Sequence, residues 1–270
     1  MPSPPSSFET DGFLSDEIVV VIKSYKAENP KLHDDFRLLG RLAHKSKNSQ
    51  SVSNQDVQQL MIVLLIGRML SLYEAIYVLV CRGMKFEHRS MLRIMLEAHL
   101  KLQFCVLSRA NAEELALSGE HERVRMLVSA AKYRQQVDSP EELKKMAELT
   151  AQVKADNKAL GVEKLTLREI AERADRLWEY ELTYALLCKP THLDSRDLQS
   201  SLDRDSNGNI IGILIGPDHD EAGVSLATAM NYLFQAITNP VVTIIDPTTA
   251  EAKDIWASIN LHFVEQHALK

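Results

Sequence analysis

Arg93 and Glu97 stand one helical turn apart in the apolar stretch Cys81 to Leu107, and His192 follows a Pro-Thr pair further on. A guanidinium, a carboxylate and an imidazole are the groups that metal-free cleavage of a phosphodiester needs. One moves the proton of an attacking hydroxyl, and a cation offsets the charge that builds on phosphorus. Tyr184 and Arg196 flank His192 in sequence, and Asp194 lies beside it to orient the ring. The convergence of Arg93, Glu97 and His192 is the sharpest expectation. Tyr184, Arg89, His99 and Arg196 are the surrounding candidates for binding.

These groups need a scaffold. Lys85, Arg89, Arg93, Glu97 and Lys101 recur every fourth residue on an otherwise oily segment, so on a helix they wind slowly around one side. Met91, Leu92, Met95, Leu96, Leu102 and Phe104 supply the apolar flanks. A helix this apolar belongs in a core, and its charged stripe must then meet partners or a cleft. The alternative for Arg93 and Glu97 is an exposed i,i+4 pair that contributes a few tenths of a kcal/mol. His99 lies six residues after Arg93. That order resembles the Arg-then-His signature of HEPN-type ribonucleases, a helical superfamily. Arg82 and His88 have the same spacing, which shows how easily it arises.

Other chemistries lack their residues. There is no Walker loop, GxGxxG, GxSxG, HExxH or paired CxxC. Cys81, Cys105 and Cys188 are odd in number and scattered, which fits buried thiols and neither zinc nor a disulfide framework. Asp218-His219-Asp220-Glu221 has the look of a ligand cluster, but acids at a helix start also suit the helix dipole. No cofactor or metal is expected. A net charge of −6 over 270 residues disfavours a globally basic nucleic-acid binder while leaving room for a local patch.

The fold class expected is all-α: a multi-helix bundle, HEPN-like, with one small β-hairpin appendage. Residues 1–12 are rich in Pro and Ser and read as disordered; 13–270 read as a single helical domain. Helices are expected over Leu14 to Ala27, Leu32 to Lys47, and from a Ser53 or Asn54 cap to about Arg82. Gly83 ends the last of these, so it pairs with the helix that follows as an antiparallel hairpin. The run from Leu60 to Val80 contains Gly67, Arg68 and Glu74 and reads as a buried helix, not a membrane span. More charged helices follow, over Asn111 to Gln136 and from Ser139-Pro140 to about Leu160, and a capping box at Thr166 opens another. Trp178 to Cys188 should bury Trp178, Leu182, Leu186 and Leu187, and Lys189-Pro190 should end it. Residues 198–215 are the hairpin, turning at Asn207-Gly208. Asp218 should cap a helix over His219 to Thr238, and Asp246-Pro247 should open the last.

Three stretches, LRIMLEAHLKLQF (92–104), LTLREIAERA (165–174) and YALLCKPTHLDS (184–195), together resemble a bacterial family of uncharacterised helical proteins, domain-of-unknown-function family five-six-seven-seven. The resemblance covers about 55–240 and falls on Arg93, Glu97, Tyr184 and His192; Cys188 stands where a Ser is usual. It implies a mainly helical fold and an association with mobile or defence loci. The functional expectation is a cytoplasmic, toxin-like helical effector of such a locus that acts as a metal-independent ribonuclease. The alternatives are a non-enzymatic interaction or sensor module of a defence complex, and a small-molecule-binding bundle using the same cleft. The expected partners are a second copy (a dimer), RNA, and a protein from the same locus, with no membrane.

Overall fold

The computed structural model describes residues 7–47, 53–134, 139–159, 161, 164–191, 199, 202–213 and 216–268. His192, Asp194 and Arg196 lie outside the described residues, as do residues 1–6 of the N-terminal segment and 198, 200–201 and 214–215 of the hairpin.

The body is built on two helices, α4 (Val57–Cys81) and α5 (Lys85–Leu107). They pack antiparallel through Ile62, Met69 and Ile76 on one and Met95, Leu100 and Leu102 on the other, all fully buried. The reversal takes three residues and turns on Gly83, whose φ is +69°. A side chain there would meet Pro217 Cα and Asp218 N at 2.7 Å, so glycine is required by space as well as by φ. The gap is that narrow because Asp218 N–H donates to Gly83 O at 2.9 Å. Helix α4 is long and apolar enough to cross a membrane by length and composition. In this fold it is a core helix, with Ile66, Leu72, Tyr73 and Val80 buried as well.

The chain before α4 folds as a short helix α1 (Ser7–Asp11), a 3₁₀ turn (Gly12–Leu14), α2 (Ile18–Glu28) and α3 (Pro30–Lys47). Residues 7–11 are therefore helical where composition suggested disorder. After α5 come α6 (Arg109–Arg134), α7 (Pro140–Ala159) and α8 (Leu167–Arg173). The capping box expected at Thr166 is present: Glu169 N–H donates to Thr166 Oγ1, and Glu169 accepts from Thr166 N–H at 2.7 Å. A π-helix (Glu179–Tyr184) runs into α9 (Ala185–Thr191), and the small antiparallel sheet is β1 (Leu202–Arg204) with β2 (Ile210–Ile213). Helix α10 (Ala222–Ile237) is buried on nearly every side, with Leu226, Met230, Leu233 and Ile237 at zero exposure, and α11 (Ala250–Ala268) covers it. Among the described residues the architecture is thus all-α with one small hairpin.

Four local expectations change. The cap of α4 is Asp56, which accepts from Gln59 N–H at 3.1 Å; Ser53 and Asn54 precede it. Asp218 does not cap α10, because Lys85 holds it at 3.0 Å; the helix starts at Ala222, after Glu221 at φ +61°. Asp246 lies four residues ahead of α11 and instead closes a turn, accepting from Thr248 N–H at 2.8 Å; Thr249 accepts from Ala252 N–H. Finally, Trp178, Leu182 and Leu186 are 58%, 63% and 55% exposed, and α9 runs on through Pro190 to Thr191. The π turn takes up more residues per turn than an α turn, which rotates the inward face. Glu179, Tyr180 and Tyr184 face in, and only Leu187 of the four expected apolar residues is buried.

One polar network ties the two ends of the chain. Asp35 on α3 accepts from Lys31 at 2.7 Å, from Ser258 on α11 through a very short bond, and from His262 Nε2 at 2.9 Å. Lys31 also donates to Ser258 Oγ at 2.8 Å. With its carboxylate engaged on three sides, Asp35 is a clamp between α3 and α11. Burial works against its charge, but these hydrogen bonds outweigh it and hold its pKa below the ordinary carboxylate value.

Candidate functional site

The stripe on α5 is spent in three different ways. At its N-terminal end Lys85 pairs with Asp218 and Asp220, at 3.0 and 3.1 Å, and Arg89 pairs with Glu221 at 3.7 Å. These two cations fasten the loop that enters α10, so Arg89 faces that loop.

One and two turns further along, Arg93 and Glu97 meet Tyr184. Arg93 Nη2 donates to Tyr184 Oη at 2.7 Å, and Tyr184 Oη donates to Glu97 Oε1 at 3.2 Å. Arg93 and Glu97 also touch directly at 3.2 Å, and the guanidinium carbon lies 5.0 Å from the centre of the Tyr184 ring. The π-helix makes this possible by turning both of its tyrosines inward, where Tyr180 stacks on Tyr184 at 5.1 Å. Burial disfavours charge on Arg93, but the Tyr184 hydrogen bond and the neighbouring acidic groups more than offset it and raise its pKa. Burial also raises the Tyr184 phenol; Arg93 opposes this and Glu97 adds to it. Arg93 Nε is buried with no hydrogen-bond partner among the described residues.

Beyond Glu97 the stripe opens into a cleft of about 460 Å³. Glu97 and Lys101 form one wall, Ser118 and His121 of α6 another, and Lys164 stands at the entry to α8; Leu165, Leu167 and Ile170 are among its apolar lining. The volume lies in the range of small-molecule and substrate sites. Glu97 belongs to both the cleft and the Arg93–Tyr184 group, so it links this half-buried anchor to the open space.

His99 lies on the same helix but faces elsewhere. It is fully buried and stacks on Tyr232 at 4.6 Å, with Nε2 3.6 Å from Glu179 Oε2. Burial, with Arg176 adding to it, lowers its pKa to about 3. Glu179, desolvated in turn, has its pKa raised, against the pull of Arg176 at 3.3 Å. Arg93, Glu97 and Tyr184 are thus brought together, Arg89 and His99 are directed to other neighbours, and His192 and Arg196 fall outside the described residues.

Sequence reading missed His121 and Lys164. His121 stands among the charged residues of α6 and Lys164 just before α8, and only tertiary packing brings both to the cleft that Lys101 lines. Among the described residues, no group of three or more His, Cys, Asp or Glu side chains is placed to hold a metal ion. The residues fit acid–base and electrostatic chemistry better: a carboxylate, an imidazole and two ammonium groups around one cleft.

Comparison with known proteins gives one result. A family model described as "Family of unknown function (DUF5677)" matches residues 59–210, which include Arg93, Glu97, Lys101, Tyr184 and the whole cleft. No curated protein and no solved structure matches the chain.

Proposed function

We propose, for a chain that belongs to the family of unknown function DUF5677, that the Glu97 cleft binds single-stranded RNA and cleaves it without a metal. The observation that carries this reading is the make-up of the cleft: a carboxylate anchored by Tyr184 and Arg93 shares about 460 Å³ with Lys101, His121 and Lys164. Glu97 takes the proton from a ribose 2′-hydroxyl, and the freed oxygen attacks the adjacent phosphorus. Lys101 and Lys164 offset the charge of the pentacoordinate phosphorus, and His121 returns a proton to the departing 5′-oxygen. Arg93 and Tyr184 act as positioning residues. The products are a 2′,3′-cyclic phosphate and a free 5′-hydroxyl.

In this reading the protein is a cytoplasmic, toxin-like effector of a defence or mobile-element locus, working as a homodimer. The net charge of −6 favours a confined basic cleft over broad nucleic-acid coating. Incubation of the purified protein with labelled RNA in excess chelator tests it. Fragments ending in 2′,3′-cyclic phosphate are expected; intact RNA, or cleavage that needs added metal, overturns it.

A second reading has its own support. Trp178, Leu182 and Leu186 form an exposed apolar stripe at four-residue spacing, and Ile210, Ile211 and Ile213 of β2 are exposed as well. A non-enzymatic module that docks a protein of the same locus would use such surfaces. In that case Leu182→Glu abolishes co-purification of the neighbouring gene product while RNA stays untouched.

A further inference from the structure

A second cavity, of about 260 Å³, lies between α3 and α4 and shares no residue with the Glu97 cleft. Its α3 wall carries Arg37 and Arg41, one turn apart, and then His44; its α4 wall carries Tyr73, Glu74 and Tyr77. Gly40 allows the two helices to approach, since a side chain there would lie 3.3 Å from Tyr73. Behind the opening is an aromatic ladder: Phe36 stacks on Tyr73 at 3.7 Å and on Tyr77 at 5.0 Å.

The charge is what requires explanation. Glu74 is hydrogen-bonded to His44 at 2.5 Å and keeps its carboxylate at the cavity. Arg37 and Arg41 are exposed, and neither has an ion-pair partner among the described residues. Like charges at i,i+4 oppose helix formation. The chain as a whole is acidic, so two guanidinium groups against one carboxylate at a single cavity do not follow from composition.

We propose that this cavity is a binding site for a nucleoside 5′-monophosphate. Two guanidinium groups in register take a phosphate through paired charge-assisted hydrogen bonds, a geometry that ammonium groups do not reproduce. The edge of Tyr77 and the neighbouring Val78 give a flat ring an apolar seat, and the Glu74–His44 pair presents an acceptor and a donor to its polar edge. The volume lies just below the usual range of ligand sites, which limits the ligand to a single nucleotide and excludes a dinucleotide. The site draws on α3, which precedes the family-matched region, so it stands or falls independently of RNA cleavage.

Calorimetric titration of the full chain with AMP, GMP, CMP and UMP in turn tests the proposal, with inorganic phosphate and adenosine as separate arms. At least one nucleotide should bind tenfold or more tightly than phosphate or adenosine alone. Replacing both arginines, Arg37→Ala with Arg41→Ala, should weaken it at least tenfold. Arg68→Ala, the same loss of charge at an exposed position of α4 outside the cavity, should leave it unchanged. The arginines are exposed, so circular dichroism should show all variants folded. Failure of all four nucleotides to saturate the protein at millimolar concentration overturns the proposal. So does phosphate binding as well as the best nucleotide, or an affinity that survives the double substitution.

Discussion

Lowering the pH from 7 to 5 should remove a large part of the folding free energy, because three histidines are buried in places that disfavour their charge. His33, His88 and His99 are 3%, 0% and 0% exposed, and neither His88 nor His99 has a hydrogen-bond partner for either ring nitrogen among the described residues. Burial is the main cause of each shift. Lys26 adds to it at His33, Arg89 and Lys85 at His88, and Arg176 at His99. The folded-state pKa values fall to about 4, 4 and 3. Unfolded histidine titrates near 6.5, so between 6.5 and about 4 the unfolded chain takes up protons that the native chain refuses. Stability is therefore intact above 6.5, falls as pH drops through that window, and for His33 and His88 levels off below about 4. A pH of 5 lies roughly 1.5 units below the unfolded histidine value and still above all three folded values, a loss of about 2 kcal/mol each and about 6 kcal/mol for the three. Glu179 acts in the opposite direction, since its raised pKa lets the folded state bind a proton first. The loss is comparable to the whole stability of an ordinary domain. Urea unfolding at pH 7, 6 and 5 measures it, and His88→Gln should remove about 2 kcal/mol of the pH 7-to-5 difference. A wild-type stability constant to within about 1 kcal/mol over that range, or an unaltered slope in His88→Gln, would show that these histidines do not set the pH dependence.

Gly83→Ala should destabilise by about 3 kcal/mol or more, because φ is +69° and the new methyl would meet Pro217 and Asp218 backbone at 2.7 Å; chemical denaturation reads it. Asp35→Asn should lower stability by about 2 kcal/mol and speed amide exchange in α11 before the rest of the core, as its clamp to Lys31, Ser258 and His262 loosens. Tyr184→Phe removes only the hydroxyl between Arg93 and Glu97 and should cost about 1 kcal/mol by thermal melt, with a larger proportional loss of RNA cleavage. Sedimentation at micromolar concentration should give twice 30.4 kDa; a single species at the monomer mass would remove the proposed dimer.

What could be read from sequence follows the physics that is local. The α4–α5 hairpin was legible because its apolar faces are long and Gly83 sits between them, and the Thr166 box because it is a four-residue motif. Sequence sets Arg93 and Glu97 on one helical face and expects His192 beside them, with Tyr184 as a surrounding candidate; Tyr184 is the residue that meets them, and His192 lies outside the described residues. The expected helix turned Trp178, Leu182 and Leu186 inward, and a π turn turned Glu179, Tyr180 and Tyr184 inward instead. Helical periodicity assumes 3.6 residues per turn, so it cannot see that switch. Asp35, Ser258 and His262 were invisible for another reason: each is an ordinary polar residue on its own helix, and more than two hundred positions separate the two sides of the clamp.

Glu97→Gln keeps the size of the side chain and the acceptor for the Tyr184 hydroxyl while removing the base, so it separates chemistry from packing. Single-turnover cleavage of a 5′-labelled RNA in chelator, with the wild type and this variant at matched thermal midpoints, is the most direct test of the cleft. A loss of about a hundredfold or more in rate is expected, the usual contribution of a general base, with RNA binding retained. Equal rates in the two proteins would contradict it.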